Sequence, residues 1–225
     1  MLSQAIGDVL PAAVGVALSP VPIIAVVLVL GTPKARSNGP AFALGWIAGL
    51  TVVSAVVLVV ASGSDDPGSA AADGVSWGTL VLGVLLLVLA ARKWRNRPKD
   101  GEEPELPAWV ETVDSFTPGK SLVTGLALSA ANPKNLALTL AAAASVAQSG
   151  ADAADDVVAV AVFVVIGSLT VAGPVLFALV APERAAAPLA SVKQFMSAHS
   201  AVIMMVILVV LGAKLVGDSL GGVFG

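Results

Sequence analysis

Residues 119–147 read GKSLVTGLALSAANPKNLALTLAAAASVA. As a helix, this stretch is long and apolar enough to cross about 30 Å of hydrocarbon, which takes roughly 20 residues. Its centre is interrupted by Asn132-Pro133-Lys134-Asn135. Lys134 lies about 15 residues from the start, or roughly 20 Å deep at the helical rise. Proline removes a backbone donor and clashes with the preceding turn, so a helix ends before it. A polar cap residue followed by proline is also how a helix begins. The spacing therefore predicts two half-helices meeting inside a membrane, with a lysine on the first turn of the second.

The same signature recurs at Ser19-Pro20-Val21-Pro22, inside an apolar segment over about 6–31. Pro20 lies about 11 residues from one end of that segment, or roughly 16 Å in. Four further segments, 39–61, 77–93, 155–181 and 199–217, lack such a centre. The whole chain agrees: 57% of its 225 residues are hydrophobic, 12% are charged, and the mean hydropathy is +0.94. So few charges cannot solubilise that much apolar surface in long runs. Alternating polarity over about ten residues, the mark of a membrane barrel, is missing from these segments. The expected fold is an all-α membrane protein of six transmembrane helices, with helices one and four broken.

Basic residues set the orientation. The loops after segments one, three and five hold Lys34, Arg36, Arg92, Lys93, Arg95, Arg97, Lys99, Lys120, Arg184 and Lys193. The opposite loops hold Asp65, Asp66, Asp73, Asp152, Asp155 and Asp156. The positive-inside rule puts the first set in the cytoplasm and both termini outside, in the cytoplasmic membrane. The opening residues MLSQAIGDVL carry no Lys or Arg, so the first segment is expected to stay in the mature protein. Loops are expected at GTPKARSNGP, ASGSDDPGSAAADG, RKWRNRPKDGEEPELP, QSGADAADD and APERAAAP. Within the second of the basic loops, 92–118, Trp109, Val113 and Phe116 recur at near-helical spacing and predict a short amphipathic helix at the cytoplasmic interface.

An internal repeat is visible. Gly15-Val16-Ala17-Leu18-Ser19 reappears as Gly125-Leu126-Ala127-Leu128-Ser129, and each copy leads into a proline break. Leu89-Ala90-Ala91-Arg92 is echoed by Leu211-Gly212-Ala213-Lys214. Three spans per repeat is an odd number, so the halves should lie inverted in one transmembrane domain: repeat one over about 4–94, a cytoplasmic loop over 95–118, and repeat two over 119–220. Inverted repeats with interrupted helices at mid-membrane are a transporter architecture.

The chemistry concentrates at the breaks. Helix N-termini carry free N–H groups and about half a positive charge. Two of them plus Lys134 favour an anionic or strongly accepting group. A lysine at the bilayer centre costs about 2.5–3.5 kcal/mol on insertion scales, which marks it as functional by default. The residues expected to contact a substrate are Ser19, Pro20, Pro22, Ser129, Asn132, Pro133, Lys134, Asn135, Thr51 and Thr170, with Ser54 and Ser168 nearby. No Asp or Glu lies in a span core, so a carboxylate proton relay has no candidate and Lys134 itself would have to titrate. Ala41, Gly45 and Gly49 form a small-residue stripe expected to serve packing, and Gly167 and Gly173-Pro174 serve close packing or a bend. Zero cysteines exclude thiol chemistry, and one histidine argues against zinc. No cofactor, metal or nucleic-acid partner is expected, and no nucleophile–base pair points to an enzyme.

The stretch LSPVPIIAVVLVLGTPKARSNGPAFALGWIAGL resembles the first two spans of the glycolipid- or sulfolipid-addressing (GAP-like) proteins of actinobacteria. LSAANPKNLALTLAAAAS and LGAKLVGDSL resemble that family's second-half break and last span, and Asn-Pro-Lys is similar to the element of the wider lysine-exporter superfamily. The resemblance implies export of a lipid or glycolipid across the bacterial membrane. It leaves two alternatives: a small-solute exporter of amino acids or ions, and an accessory subunit of a larger lipid-export complex. A homodimer is a further expected assembly.

Overall fold

The computed structural model describes residues 2–62, 70–96, 108–147 and 149–224. Asp65, Asp66, Arg97 and Lys99 lie outside them, as do the side chains of Asp73 and Trp109. The described residues form eight α-helices and no strand: α1 (Leu2–Ala17), α2 (Pro20–Leu30), α3 (Ala35–Ser62), α4 (Ala70–Arg95), α5 (Pro118–Leu126), α6 (Pro133–Ala147), α7 (Ala153–Val180) and α8 (Pro182–Phe224). A 3-10 helix covers Ala108–Ser115, and a π-helical turn, Ala127–Ala131, joins α5 to α6.

Local chemistry sets the boundaries. Thr117 caps α5 by accepting from Lys120 N at 3.3 Å, with Pro118 at the first helical position, where its missing N–H costs nothing. Asp152 caps α7 by accepting from Asp155 N at 2.9 Å. The first segment breaks between α1 and α2, whose axes meet at 52°. At about 1.5 Å per residue, α2 and α6 are roughly 16 and 22 Å long, too short to cross hydrocarbon alone.

Three expected loops need correcting: GTPKARSNGP is helical from Ala35 and ASGSDDPGSAAADG from Ala70. APERAAAP is not a loop; α8 begins at Pro182 and runs unbroken through Pro188 and the predicted sixth span. A proline on the first turn is tolerated, and the Arg184-Ala185-Ala186-Ala187 run is strong helix former. The predicted amphipathic helix exists as the 3-10 segment, with Val113 and Phe116 buried. Asn38 Nδ2 donates to Phe116 O at 3.0 Å and ties that segment to the start of α3.

The core is built around the two half-helices. Along α2, Pro20, Pro22, Ile23, Ile24, Ala25 and Val26 are all buried, as befits a helix that is apolar on every side. Around it, α1 packs on α7 and α6, α3 on α5, and α4 on α8. The exterior is apolar: Val56, Val59 and Val60 on α3, Val81 on α4, Val165 and Leu176 on α7 and Val210 on α8 are all exposed. A water-soluble monomer does not carry such a surface; this is a membrane protein. By length and composition, α3, α7 and α8 each suffice to cross a bilayer, and the bent α1–α2 pair passes the same test when taken together, as a broken span or a re-entrant loop. α4 and the α5–α6 pair stand outside that count.

Trp46 fills the centre of the α3–α7 contact. It is fully buried, and its indole Nε1 donates to Gly167 O at 3.2 Å. Trp46→Phe removes that donor and leaves a gap. It should lower unfolding stability in detergent by about 1–3 kcal/mol. An unchanged denaturation midpoint would show that the indole contributes no such bond.

Candidate functional site

At the first break, two prolines without N–H groups follow one another at Pro20 and Pro22. The end of α1 tightens: Ser19 N turns to Val16 O at 3.1 Å instead of reaching Gly15 O. Gly15 O and Ala17 O are left without their usual helical donors. Side chains from the second half of the chain supply them. Lys134 Nζ donates to Gly15 O at 2.8 Å, and Thr170 Oγ1 donates to Ala17 O at 2.5 Å. Gly15 also lies close against side chains of α6 and α8. A Cβ there would stand 2.6 Å from Leu211 Cδ1 and 3.1 Å from Leu138 Cδ1.

At the second break the helix widens instead. Asn132 N reaches back five residues to Ala127 O at 3.1 Å, the π-type bond. In that register Leu128 O would look to residue 133, which is proline and has no N–H. Asn135 Nδ2 takes its place, donating to Leu128 O at 2.9 Å. Asn132 Oδ1 accepts from Lys134 N at 3.1 Å and caps α6. Thr139 Oγ1 closes on Asn135 O at 2.8 Å.

Lys134 is therefore buried on the first turn of α6 and spends one donor on the carbonyl end of α1. No carboxylate faces it within ion-pairing distance among the described residues. This corrects the picture of two amide-rich helix starts sharing the lysine: its amine is aimed at the negative end of a helix, where a cation is favoured. Its remaining donor capacity is unspent. Asn135 Oδ1, on the next residue, also lacks a partner among the described residues, as do Ser54 Oγ on α3 and Ser168 Oγ on α7.

The other expected residues fall into two groups. Ser19 and Ser129 are buried; Ser19 is extended ahead of Pro20 but does not cap α2 through its hydroxyl, and Ser129 Oγ bonds Leu126 O at 3.0 Å while facing Gly49. Pro20 and Pro22 are buried at the start of α2, whereas Pro133 is exposed. Thr51 points outward and bonds Ile47 O at 2.8 Å, away from the lysine. What the sequence did not signal was the acceptor role of Gly15 O and Ala17 O. The only hint is that paired prolines must leave carbonyls unserved. A separate cleft of about 780 Å³ at one end of the bundle is lined by none of these residues.

The arrangement joins the two helix breaks through a buried amine, and a hydroxyl from α7 holds the first. A ligand with accepting oxygens could compete for both donors, and breaking them would free the end of α1 to move.

A family model described as Sap, sulfolipid-1-addressing protein, matches residues 9–221, a span that takes in both breaks and every residue named at them. Neither a curated protein nor a solved structure matches the chain.

Proposed function

The chain belongs to the sulfolipid-1-addressing protein family, and from that premise we propose that it is a bacterial cytoplasmic-membrane transporter that moves a lipid or glycolipid with a polar or anionic headgroup outward. The observation that carries the proposal is the buried Lys134 amine, held by a single hydrogen bond to a carbonyl exposed by a helix break. A structural lysine would be paired. This one has donors to spare where two helix breaks meet.

Alternating access requires two comparable halves. The proposal takes six spans, α1–α2, α3, α4, α5–α6, α7 and α8, as two inverted repeats of the kind found in the lysine-exporter superfamily. Two features support it. Ser19 and Asn132 share one backbone conformation, with φ, ψ of −70°, 113° and −71°, 119°. The packing also exchanges between halves: α1 of one lies on α7 of the other, and α5 on α3. The termini then lie outside and the basic loops in the cytoplasm. The chain works as a carrier, not an enzyme, with no cofactor.

The test is reconstitution of the full chain in liposomes containing fluorescent phosphatidylglycerol, with transfer between leaflets read by dithionite quenching. Protein-dependent transfer is expected, with no efflux of radiolabelled lysine. Lysine efflux without lipid transfer would reassign the chain as a small-solute exporter. Neither activity would leave it an accessory of a larger lipid-export complex, and in both cases the proposal fails.

A further inference from the structure

Parts of the three regions that follow segments one, three and five, far apart in sequence, meet in space. The end of α2, the start of α3, the 3-10 helix, the end of α7 and the start of α8 enclose the cleft of about 780 Å³. That volume is in the range of ligand pockets. Its walls are apolar, with Leu28, Leu30, Val113, Leu179 and Leu189. Two cations line it, the exposed Arg36 and the half-buried Lys193, against one carboxylate, Asp114. None of the three has an ionic partner among the described residues.

We propose that this cleft holds one anionic membrane lipid of the leaflet on the basic side, its acyl chain against the leucines and its headgroup on Arg36 and Lys193. The argument is charge complementarity at a membrane surface. An acyl chain already lies in hydrocarbon and gains little by moving between apolar walls. Selection must therefore come from the headgroup, and two unpaired cations beside apolar walls select a negative one. A soluble anion would not need the apolar wall, and a neutral lipid would not need the cations. The inference deepens the transport reading by supplying a loading site distant from Lys134, but lipid binding here does not depend on transport.

Native mass spectrometry of the full chain, released from nanodiscs of mixed phosphatidylglycerol and phosphatidylcholine, tests it. The wild-type protein should retain phosphatidylglycerol preferentially. Arg36→Gln or Lys193→Gln should each weaken the preference about fivefold, and the pair about thirtyfold, for cations at a membrane surface. Lys120→Gln, a surface cation outside the cleft, should leave it unchanged. Ala190→Trp, which fills the cleft, should lose the bound lipid while the cations remain. Equal retention of both lipids, or an equal loss in Lys120→Gln, overturns the proposal. A protein that keeps the preference but moves no lipid between leaflets refutes transport and leaves the cleft standing; transport without preference does the reverse.

Discussion

Gly125→Ala should sharply reduce the folded yield, while Gly173→Ala, the same chemical change, should not. α3 and α5 touch backbone to backbone. A Cβ built on Gly125 overlaps Phe42 O and sits 3.0 Å from Trp46 N; one built on Gly45 overlaps Leu122 O. The contact is reciprocal, so each helix carries the glycine that the other's backbone needs. This is how small residues let membrane helices approach where no hydrophobic effect drives them together. The obstructing atoms are main chain and cannot rotate away, so the added methyl must part the helices. Overpacking of this kind costs about 1–3 kcal/mol or more, a large share of a marginal stability. At Gly173 nothing lies within 4 Å. Alanine there should be neutral or stabilise by about 0.5–1 kcal/mol through its helix preference. The readout is the monodisperse fraction and unfolding midpoint in detergent. If Gly125→Ala matches wild type, α3 and α5 are not in backbone contact.

The stripe of Ala41, Gly45 and Gly49 was legible because small residues four apart on an apolar helix have few uses other than close packing. Both breaks were legible for a similar reason: proline lacks an N–H, so it ends one helix, and its fixed backbone angle suits the first position of the next. What happens just before each break was not. One helix end tightens to Val16 O and the other widens to Ala127 O. The choice goes with the groups that satisfy the carbonyls left over: at the first break Lys134 and Thr170 from the other half of the chain, at the second Asn135 from seven residues on. Backbone acceptors carry no sequence signature, so the Lys134–Gly15 bond could not be read from residues alone. Thr51 misled for the opposite reason: a hydroxyl in an apolar span can bond its own helix and face outward. The basic cleft escaped because its parts come from five elements; only the grouping of charges in alternate loops was visible, not their meeting place.

The second large effect concerns function and not folding. Lys134→Met should leave the protein at least as stable as wild type, yet lower lipid transfer more than tenfold. Methionine nearly preserves the volume and removes the polar head. A lysine held deep in the bilayer costs about 2.5–3.5 kcal/mol on insertion scales. Its one bond, to Gly15 O at 2.8 Å, returns about 1 kcal/mol in net terms. Losing the amine also strands that carbonyl, which costs about 1–3 kcal/mol. The opposing effects nearly cancel, so the fold has little reason of its own to keep a cation there. The proposed transport gives one: without the amine no charged donor stands between the breaks to receive a headgroup. Measuring unfolding midpoints and leaflet-to-leaflet transfer on the same preparations separates the two. A variant that unfolds would make Lys134 a clamp for the end of α1. A variant that folds and still moves lipid at the wild-type rate would remove the lysine from the mechanism.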